Sequence, residues 1–435
     1  MIHRVPILVL AGMLAAPVAA AASSANMDAV RCHDLRLEPP RRIEACARAL
    51  AAPDLAERQQ VALLAARAQA LDDLGDHRRA IEDYDSAIVL APRDPFLRLN
   101  RGVAKMHDGR PGDAIEDYNE AARLKPDWHL PYFDRAVALS DLGQRAAALK
   151  DYERAIRLKP DDAWIYVGQG DVLAASGDPG GALKAYGKAL ALRPELDDPR
   201  AKRAELLLQL DRPAEALPDL DRVLAREPSK PRLWQARGNA RFQLADYAEA
   251  AADLRRALAL APDDRAVRRD LARAELGAGD LDGASRDLTP ALGAAESEAA
   301  DLTLGAMVAL LSGRASAAED LVRRAIDMKP GEGLAQAILA LQLRQDNEPD
   351  AARDTATLAM TFAPEDAEVA AVAKLAGAEA RPGTAPPPSA MPRTTPAKIA
   401  LADCVADLAA GDLAAARTRP AGWSLCHLAA VLLGE

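Results

Sequence analysis

The sequence predicts an all-α protein, a solenoid of stacked helical hairpins. Three observations support this fold class: a proline that recurs every 34 residues, columns of small residues in the same register, and apolar residues spaced three and four apart. The prolines are Pro92, Pro126, Pro160, Pro194, Pro228, Pro262, Pro330 and Pro364. Only Glu296 departs from the column. Prolines that recur at this fixed period indicate a repeated structural unit.

Placing the proline at position 32 of the unit divides the chain into nine repeats without gaps. They are 61–94, 95–128, 129–162, 163–196, 197–230, 231–264, 265–298, 299–332 and 333–366. Position 8 is Gly or Ala in every unit, position 20 is always Ala, and position 27 is Ala in all units except one, which has Val223. Small residues at these positions predict two helices that approach each other closely.

The boundary between the two helices of a unit is predicted at position 15. Six units have Gly there and the others have Asp211, Ala245 and Asn347, mostly residues that tolerate the left-handed conformation after a helix. Beyond it, apolar residues follow a helical spacing, as between Ala146 and Ile156. Each unit is therefore predicted to be a helix-turn-helix hairpin. Pro218 and Pro290 fall inside second helices and should kink or shorten them.

These columns resemble the tetratricopeptide repeat (TPR) family. In unit 231–264 the large, small and proline slots of the family are occupied by Trp234, Gly238, Ala250, Ala257 and Pro262. In the same unit, Ala245 and Leu254 depart from the usual glycine and aromatic residue. The resemblance covers 61–366. It implies a right-handed superhelical solenoid of about nine hairpins, whose first helices line a concave face that binds partners.

The composition is consistent with a helical repeat protein and argues against nucleic acid as a partner. Half of the 435 residues are apolar but only 3% are aromatic, so packing must rely on Ala and Leu. A formal net charge of -10 without a long basic run argues against nucleic-acid binding, which needs concentrated Lys and Arg.

The amino terminus is predicted to be a cleaved secretory signal over 1–22. A short basic start precedes an apolar stretch broken by Pro17, and small residues follow it. The stretch is short for a membrane span, although retention as an anchor is the alternative. We therefore expect a periplasmic or secreted protein with no membrane span after signal removal.

Four cysteines form two local groups, one beyond each end of the repeats: Cys32 with Cys46, and Cys404 with Cys426. Three connectivities are possible, and we predict the local pairing, as disulfide staples for the ends. Metal binding is the alternative, because His33 and His427 adjoin a cysteine in each group. Their spacing does not converge on one ion, so no metal site is predicted.

Segments outside the repeats are predicted to close the solenoid. Residues 23–60 are expected to form an amino-terminal cap with a half-repeat, and 367–380 a closing helix. A proline-rich linker follows over 381–397, leading to a small helical hairpin over 398–435 that either docks on the solenoid or binds something else.

No catalytic or cofactor motif is present, so we predict a protein that is not an enzyme and uses no cofactor. The sequence lacks H-E-x-x-H, G-x-S-x-G and a phosphate-binding glycine loop. The glycines Gly168 and Gly170 fall inside a helical pattern and are interpreted as packing residues.

The resemblance places positions 2, 5, 9 and 12 of each unit on the concave face. In units two to four these positions supply large apolar residues, and acids are interleaved with them. The predicted partner-binding residues are Phe96, Leu99, Met106, Phe133, Asp134, Asp141, Trp164 and Asp171, with Val103 and Val137 beside them. Such a groove fits a peptide with apolar anchors and positive charge. The alternative is that the apolar side chains fill hairpin junctions.

Units eight and nine are also apolar at their first helices. These residues are Leu304, Met307, Leu310, Leu311, Leu334, Ile338 and Leu341. Either the groove narrows there or something covers it, and the hairpin at 398–435 is a candidate cover.

The sequence thus predicts an exported scaffold that binds protein or peptide partners, as an adaptor or assembly factor of the cell envelope. The alternative is a carbohydrate-binding accessory protein in polysaccharide or cell-wall export, which the scarcity of aromatic residues disfavours. The sequence indicates no particular oligomeric state.

Overall fold

A computed structural model describes residues 24–293, 297–363, 366–376, 403–405, 407, 413–418 and 429. Regular structure in these ranges is entirely α-helical, which confirms the predicted fold class. The signal at 1–22 and the linker at 381–397 lie outside the described residues, as does most of 398–435. Those predictions therefore stay predictions.

The chain divides into two compact units, Met1–Asp178 and Pro179–Glu435. The helices of the first are α1 (Ser24–His33), α2 (Pro39–Leu50), α3 (Glu57–Leu74), α4 (His77–Leu90), α5 (Pro95–His107), α6 (Pro111–Leu124), α7 (His129–Asp141), α8 (Arg145–Leu158) and α9 (Ala163–Ala175). Those of the second are α10 (Pro179–Leu192), α11 (Asp198–Gln209), α12 (Pro213–Arg226), α13 (Pro231–Gln243), α14 (Tyr247–Leu260), α15 (Arg265–Gly277), α16 (Leu281–Leu292), α17 (Ala299–Leu311), α18 (Ala315–Met328), α19 (Gly333–Gln345), α20 (Pro349–Phe362), α21 (Ala367–Leu375) and α22 (Leu413–Thr418). Each of the nine 34-residue units contributes two helices.

Where both hairpins belong to one compact unit, the second helix of the first hairpin packs between the first helix of its own hairpin and that of the next, as α6 does between α5 and α7. Successive first helices, such as α3, α5 and α7, also touch side by side. First helices therefore have one side against second helices and another side that faces away from them.

The turn between the two helices of each hairpin is left-handed, as position 15 predicts. All nine residues there have positive φ, between 56° and 91°. Six are glycines, and the others are Asp211, Ala245 and Asn347. A residue with positive φ therefore follows the first helix of every hairpin.

Small residues at position 8 allow the predicted close approach of helices. A Cβ added to Gly102 would lie 2.5 Å from Tyr118 Cε1, and one added to Gly238 would lie 2.7 Å from Leu254 Cγ. Gly168 is similarly restricted, because its added Cβ would lie 2.5 Å from the Tyr152 hydroxyl. Its interpretation as a packing glycine is consistent with this contact.

The two prolines inside second helices act differently. The helix α12, which contains Pro218, keeps 14 residues, the same length as α14, so Pro218 does not shorten it, and the alternative of a kink stays a prediction. Pro218 lies on the exposed face, where water can bond to the carbonyl that it leaves unpaired. The helix α16, with Pro290 near its end, has only 12 residues.

Arginine–aspartate pairs connect the two helices of five hairpins, a feature that the sequence analysis missed. Arginine at position 7 of the first helix makes two hydrogen bonds to an aspartate at position 23 of the second. The pairs are Arg67–Asp83, Arg101–Asp117, Arg135–Asp151, Arg203–Asp219 and Arg237–Asp253. Both residue types recur every 34 residues, so the register itself contained the signal.

Some of these arginines also reach the preceding hairpin. Arg135 Nη1 donates to Asn119 Oδ1 at 2.6 Å, and Arg237 Nη1 donates to Asp221 Oδ1 at 2.7 Å. A further link uses position 4, where Tyr166 and Trp234 donate to the carbonyls of Pro160 and Pro228 at 3.0 and 2.8 Å. Polar side chains therefore fix how neighbouring hairpins stack.

Two helices, α1 and α2, precede the first repeat and pack against each other. The sequence indicated a cap with a half-repeat here. The structure joins Cys32 of α1 to Cys46 of α2 by a disulfide bond, with Cα atoms 4.7 Å apart. A paired Asp28–Arg48 contact, at 2.9 and 3.0 Å, supports the same junction.

Residues from the carboxy-terminal segment share a core with units eight and nine. Cys404, Val405, Ala416 and Ala429 are fully buried. They belong to the same apolar cluster as residues of α17, α19 and α21. Cys426 lies outside the described residues, so its pairing with Cys404 stays a prediction.

Candidate functional site

Half-buried and exposed residues along α5, α7 and α9 define a surface on these first helices. Positions 2, 6, 9 and 13 are half-buried or exposed, and their spacing of four and three places them on one side of a helix. We call this surface the first-helix stripe. It consists of Phe96, Asn100, Val103, His107, Leu130, Asp134, Val137, Asp141, Trp164, Gly168, Asp171 and Ala175.

Three of the predicted partner-binding residues do not lie on this stripe. Leu99, Met106 and Phe133, at positions 5 and 12, are only 6 to 9% exposed. They pack in apolar clusters formed by first helices together with the second helices α6 and α8, and Phe133 makes an edge contact with Tyr152 at 6.1 Å. The predicted positions 5 and 12 are therefore corrected to 6 and 13, because burial between helices removes the former from the surface.

The aromatic residues Phe96 and Trp164 remain on the stripe, each in the first turn of its helix. Each helix is capped two residues earlier, where Asp94 and Asp162 accept the backbone N–H of Phe96 and Trp164. The Phe96 ring lies 4.5 Å from that of Trp128, and Lys125 Nζ lies about 5 Å from both rings. These half-buried rings offer apolar surface beside polar groups.

Three carboxylates also belong to the stripe: Asp134, Asp141 and Asp171. Burial raises the pKa of Asp134 to about 7, opposed only in part by the nearby His107. Burial also raises the pKa of Asp141. Within the described part of the chain, no lysine or arginine pairs with Asp134. A cation supplied by a partner would therefore stabilise the charged form of this carboxylate.

A second polar group, which the sequence analysis missed, joins the first two hairpins. Asp72 of α3 accepts hydrogen bonds from His77 Nδ1 at 2.7 Å and from His107 Nδ1 at 2.9 Å. Burial raises the pKa of Asp72, but the hydrogen bonds and charges of His107 and His77 outweigh burial and lower it overall. Nothing in the spacing of the sequence shows that two histidines converge on Asp72.

The apolar first helices of units eight and nine do not form an open surface. Met307, Leu310, Ile338 and Leu341 are at most 5% exposed. They share their cluster with Cys404, Val405, Ala416 and Ala429, whereas Leu311 and Leu334 pack partly buried against it. The described residues of the carboxy-terminal segment thus dock on the second compact unit. The first-helix stripe is the more accessible surface.

None of the helices in the described ranges is long and apolar enough to cross a membrane. Within those ranges the one group of three or more metal-ligand side chains is Asp72, His77 and His107.

Comparison with known proteins agrees with the repeat register. Family models described as "Tetratricopeptide repeat" match 65–127 and 269–333, 173–240, and 231–264, and one described as "TPR repeat" matches 138–177. Together these matches span more than half of the chain, which therefore belongs to the tetratricopeptide repeat family. None of the curated proteins compared with the chain matches it.

Several solved structures resemble parts of the chain. A tetratricopeptide repeat protein from Parabacteroides merdae is 17% identical and covers 57% of this chain and 97% of its own, with a TM-score of 0.42. A crystal structure of MamA protein is 22% identical and covers 39% of this chain and 93% of its own, with a TM-score of 0.35. The TPR protein TTC0263 from Thermus thermophilus is 22% identical over 41% of this chain and 95% of its own, with a TM-score of 0.35.

Proposed function

We propose that this TPR protein is a scaffold that binds a protein or peptide partner along the first-helix stripe of α5, α7 and α9. TPR proteins bind protein partners, and the stripe adds the chemistry of this particular chain. Its partner would present an extended or helical segment with apolar anchors and at least one basic side chain.

The observation that carries this proposal is the combination of Phe96 and Trp164 with Asp134 between them. The rings supply partly exposed apolar area, and aromatic residues often dominate binding energy at interfaces. The desolvated Asp134 carboxylate has no lysine or arginine partner among the described residues, so an incoming cation would gain a charge-assisted hydrogen bond.

A panel of immobilised peptides that vary in apolar and basic content, with a parallel panel of glycans, tests this assignment. We expect the chain to retain peptides that combine apolar and basic residues. Trp164→Ala should weaken the tightest of them by about tenfold or more, as the loss of an aromatic anchor does. Asp134→Asn should weaken basic peptides selectively and reduce the salt dependence of binding.

Glu153→Gln provides the matched control, because Glu153 is exposed on the second helix α8 and does not belong to the stripe. An unchanged affinity for this variant, beside reduced affinity for the two stripe variants, supports the proposal. Equal effects of all three variants, or capture of glycans only, would overturn it and favour the carbohydrate-binding alternative.

We further propose that the protein works after export, as an adaptor or assembly factor of the cell envelope, and acts by binding. The signal-like segment at 1–22 and the Cys32–Cys46 bond support this location, because oxidising compartments preserve disulfides. The mass of the unreduced protein isolated from its native host should show loss of the signal and of two hydrogens per disulfide. An intact amino terminus with four free thiols would contradict export.

A further inference from the structure

Three ligand-type side chains from three different helices meet at the junction of the first two hairpins. Asp72 lies in the last turn of α3, His77 is the first residue of α4, and His107 is the last residue of α5. One potential ligand atom from each lies within 4.8 Å of the other two. We propose that Asp72, His77 and His107 bind a divalent transition-metal ion of the Zn²⁺ class.

The ligand atoms available at this site determine which class of metal ion it favours. Two imidazole nitrogens and one carboxylate oxygen suit Zn²⁺, with Co²⁺, Ni²⁺ and Cu²⁺ as chemically related occupants. Ca²⁺ and Mg²⁺ prefer sites made of oxygen ligands, so a site with two imidazoles selects against them. Three protein ligands leave one position of a tetrahedral ion for water or for a group from a partner.

The distances between the donors are close to those that the ion requires. His77 Nδ1 and His107 Nδ1 lie 2.7 and 2.9 Å from the two oxygens of the same carboxylate. The donors of the two histidines lie within 4.8 Å of each other. Tetrahedral ligands at Zn–N and Zn–O distances of about 2 Å lie roughly 3.3 Å apart, so each histidine donor needs to separate from its carboxylate oxygen by only about 0.5 Å. Small rotations of the imidazole rings would achieve this change.

The site is accessible to an ion from solvent, and nearby acidic residues favour a cation. Asp72 is buried, whereas the two histidine side chains are about a quarter exposed, at 26% and 25%, so an ion can reach them from solvent. The histidine rings lie 5.4 Å apart between centroids. Asp134 lies close enough to interact with the charge of His107, and Asp108 follows His107 in the chain.

Binding requires a change of tautomer but no added reagent. Each Nδ1–H now donates to Asp72, and metal coordination at Nδ1 needs the lone pair that this proton occupies. The proton would move to Nε2 of the same ring through solvent, so a neutral imidazole loses no net proton. The ion would then connect α3, α4 and α5 in place of the two hydrogen bonds.

Calorimetric titration of the untagged full chain with ZnCl₂, after treatment with a chelator, tests the site. We expect one equivalent to bind and to raise the thermal midpoint, because the ion binds only the folded state. CaCl₂ should produce neither effect. His77→Ala and His107→Ala should each weaken Zn²⁺ binding by about tenfold or more, the minimum expected for loss of a ligand.

His129→Ala is the matched control, since His129 is also partly buried beside a carboxylate, 3.7 Å from Asp162, but lies outside the cluster. Binding that is unchanged in this variant and lost in the two others supports the site. No Zn²⁺ binding by the unsubstituted chain, or equal binding by a His77→Ala/His107→Ala double variant, overturns it.

Spectroscopy of the unsubstituted chain covers the case in which the histidine variants fail to fold. Ligand-field bands of added Co²⁺ that differ from those of aqueous Co²⁺, and that disappear when Zn²⁺ is added, support the proposal. An unaltered aqueous spectrum overturns it.

Discussion

Position 15 of each unit shows how one backbone conformation determines the choice of a residue. It has positive φ in all nine hairpins, yet Ala245 occupies it with φ of 65°. An L-residue with a Cβ loses roughly 1–2 kcal/mol in this region, whereas glycine does not. Ala245 is therefore a site of local strain between α13 and α14.

Ala245→Gly is expected to stabilise the protein by about 1 kcal/mol, because relief of the strain exceeds the entropy that glycine adds to the unfolded chain. The midpoint of urea unfolding measures the effect. Ala252→Gly, at an exposed position inside α14, is the control and should destabilise by about 1 kcal/mol. Destabilisation by both substitutions would show that Ala245 is not strained.

Glu275 shows how the loss of one arginine changes the chemistry of a neighbour. In this hairpin Leu271 replaces the position-7 arginine, while Asp287 keeps the position-23 carboxylate. Burial raises the pKa of Glu275 to about 7, Asp287 adds to the rise, and Arg255 opposes it. Asp280, which also bonds Arg255, is the other charged group at this junction.

The raised pKa of Glu275 predicts a pH-dependent cost to stability. The folded state favours the protonated carboxyl, so the cost is absent below the unfolded pKa of about 4.5 and complete above about 7. Glu275→Gln cannot ionise, so its stability relative to the unsubstituted chain should increase between pH 5 and pH 8, roughly the window given by these pKa values. Urea unfolding at both pH values measures this.

Glu249→Gln, on the exposed face of α14, serves as the control for Glu275→Gln. A similar pH-dependent gain in the control would assign the effect to net charge. A Glu275→Gln variant whose relative stability falls as the pH rises would contradict the raised pKa.

At the scale of the hairpin, most repeats have either both members of the Arg–Asp pair or neither of them. Five hairpins have both residues, and the fourth, eighth and ninth lack both, with Gln169 and Ala185, Gly305 and Leu321, or Leu339 and Thr355 in their places. Removing one member of a buried ion pair leaves the other charge uncompensated, whereas replacing both by apolar residues is often tolerated. The paired loss in these units has this physical explanation.

Arg135→Leu is expected to destabilise the protein by about 2–3 kcal/mol, since it leaves Asp151 without its two hydrogen bonds. The double variant Arg135→Leu/Asp151→Leu should recover most of this loss. Arg157→Leu, at an exposed position of α8, should remain within about 0.5 kcal/mol of the unsubstituted chain. Urea midpoints provide the comparison, and additive losses in the double variant would refute coupling of the pair.

At the scale of the whole chain, docking of the carboxy-terminal segment determines which apolar surface is available. Val405 and Ala416 are buried in the same cluster as Met307, Leu310 and Ile338. Large exposed apolar patches attract partners or cause aggregation. The described residues of the segment therefore cover part of α17 and α19, whereas the first-helix stripe stays accessible.

Val405→Asp is expected to release the segment, because a carboxylate cannot be buried in this cluster without a partner. Binding of a hydrophobic fluorescent dye should then increase, as it should after deletion of 381–435. Ala414→Asp, at an exposed position of α22, is the control and should leave dye binding unchanged. Unchanged dye binding in both Val405→Asp and the deletion would rule out a cover.

The sequence by itself determined the hairpins, their register and the positions of their turns. These features depend on contacts that recur in every unit, such as Gly102 against Tyr118, and on a left-handed turn that restricts position 15. A structural constraint that recurs every 34 residues restricts the same position of each repeat. It can therefore be recognised when the repeats are aligned in the sequence.

Only the tertiary structure decided which side chains face outward and which distant residues meet. One residue corresponds to a rotation of about 100° around a helix, so Leu99 and Phe133 are buried although positions next to them are partly exposed. Contacts with neighbouring helices determine how each helix is rotated about its own axis, and the repeat register does not. The same contacts bring His107 to Asp72 and the carboxy-terminal residues to α17, because each helix side is defined by what packs against it.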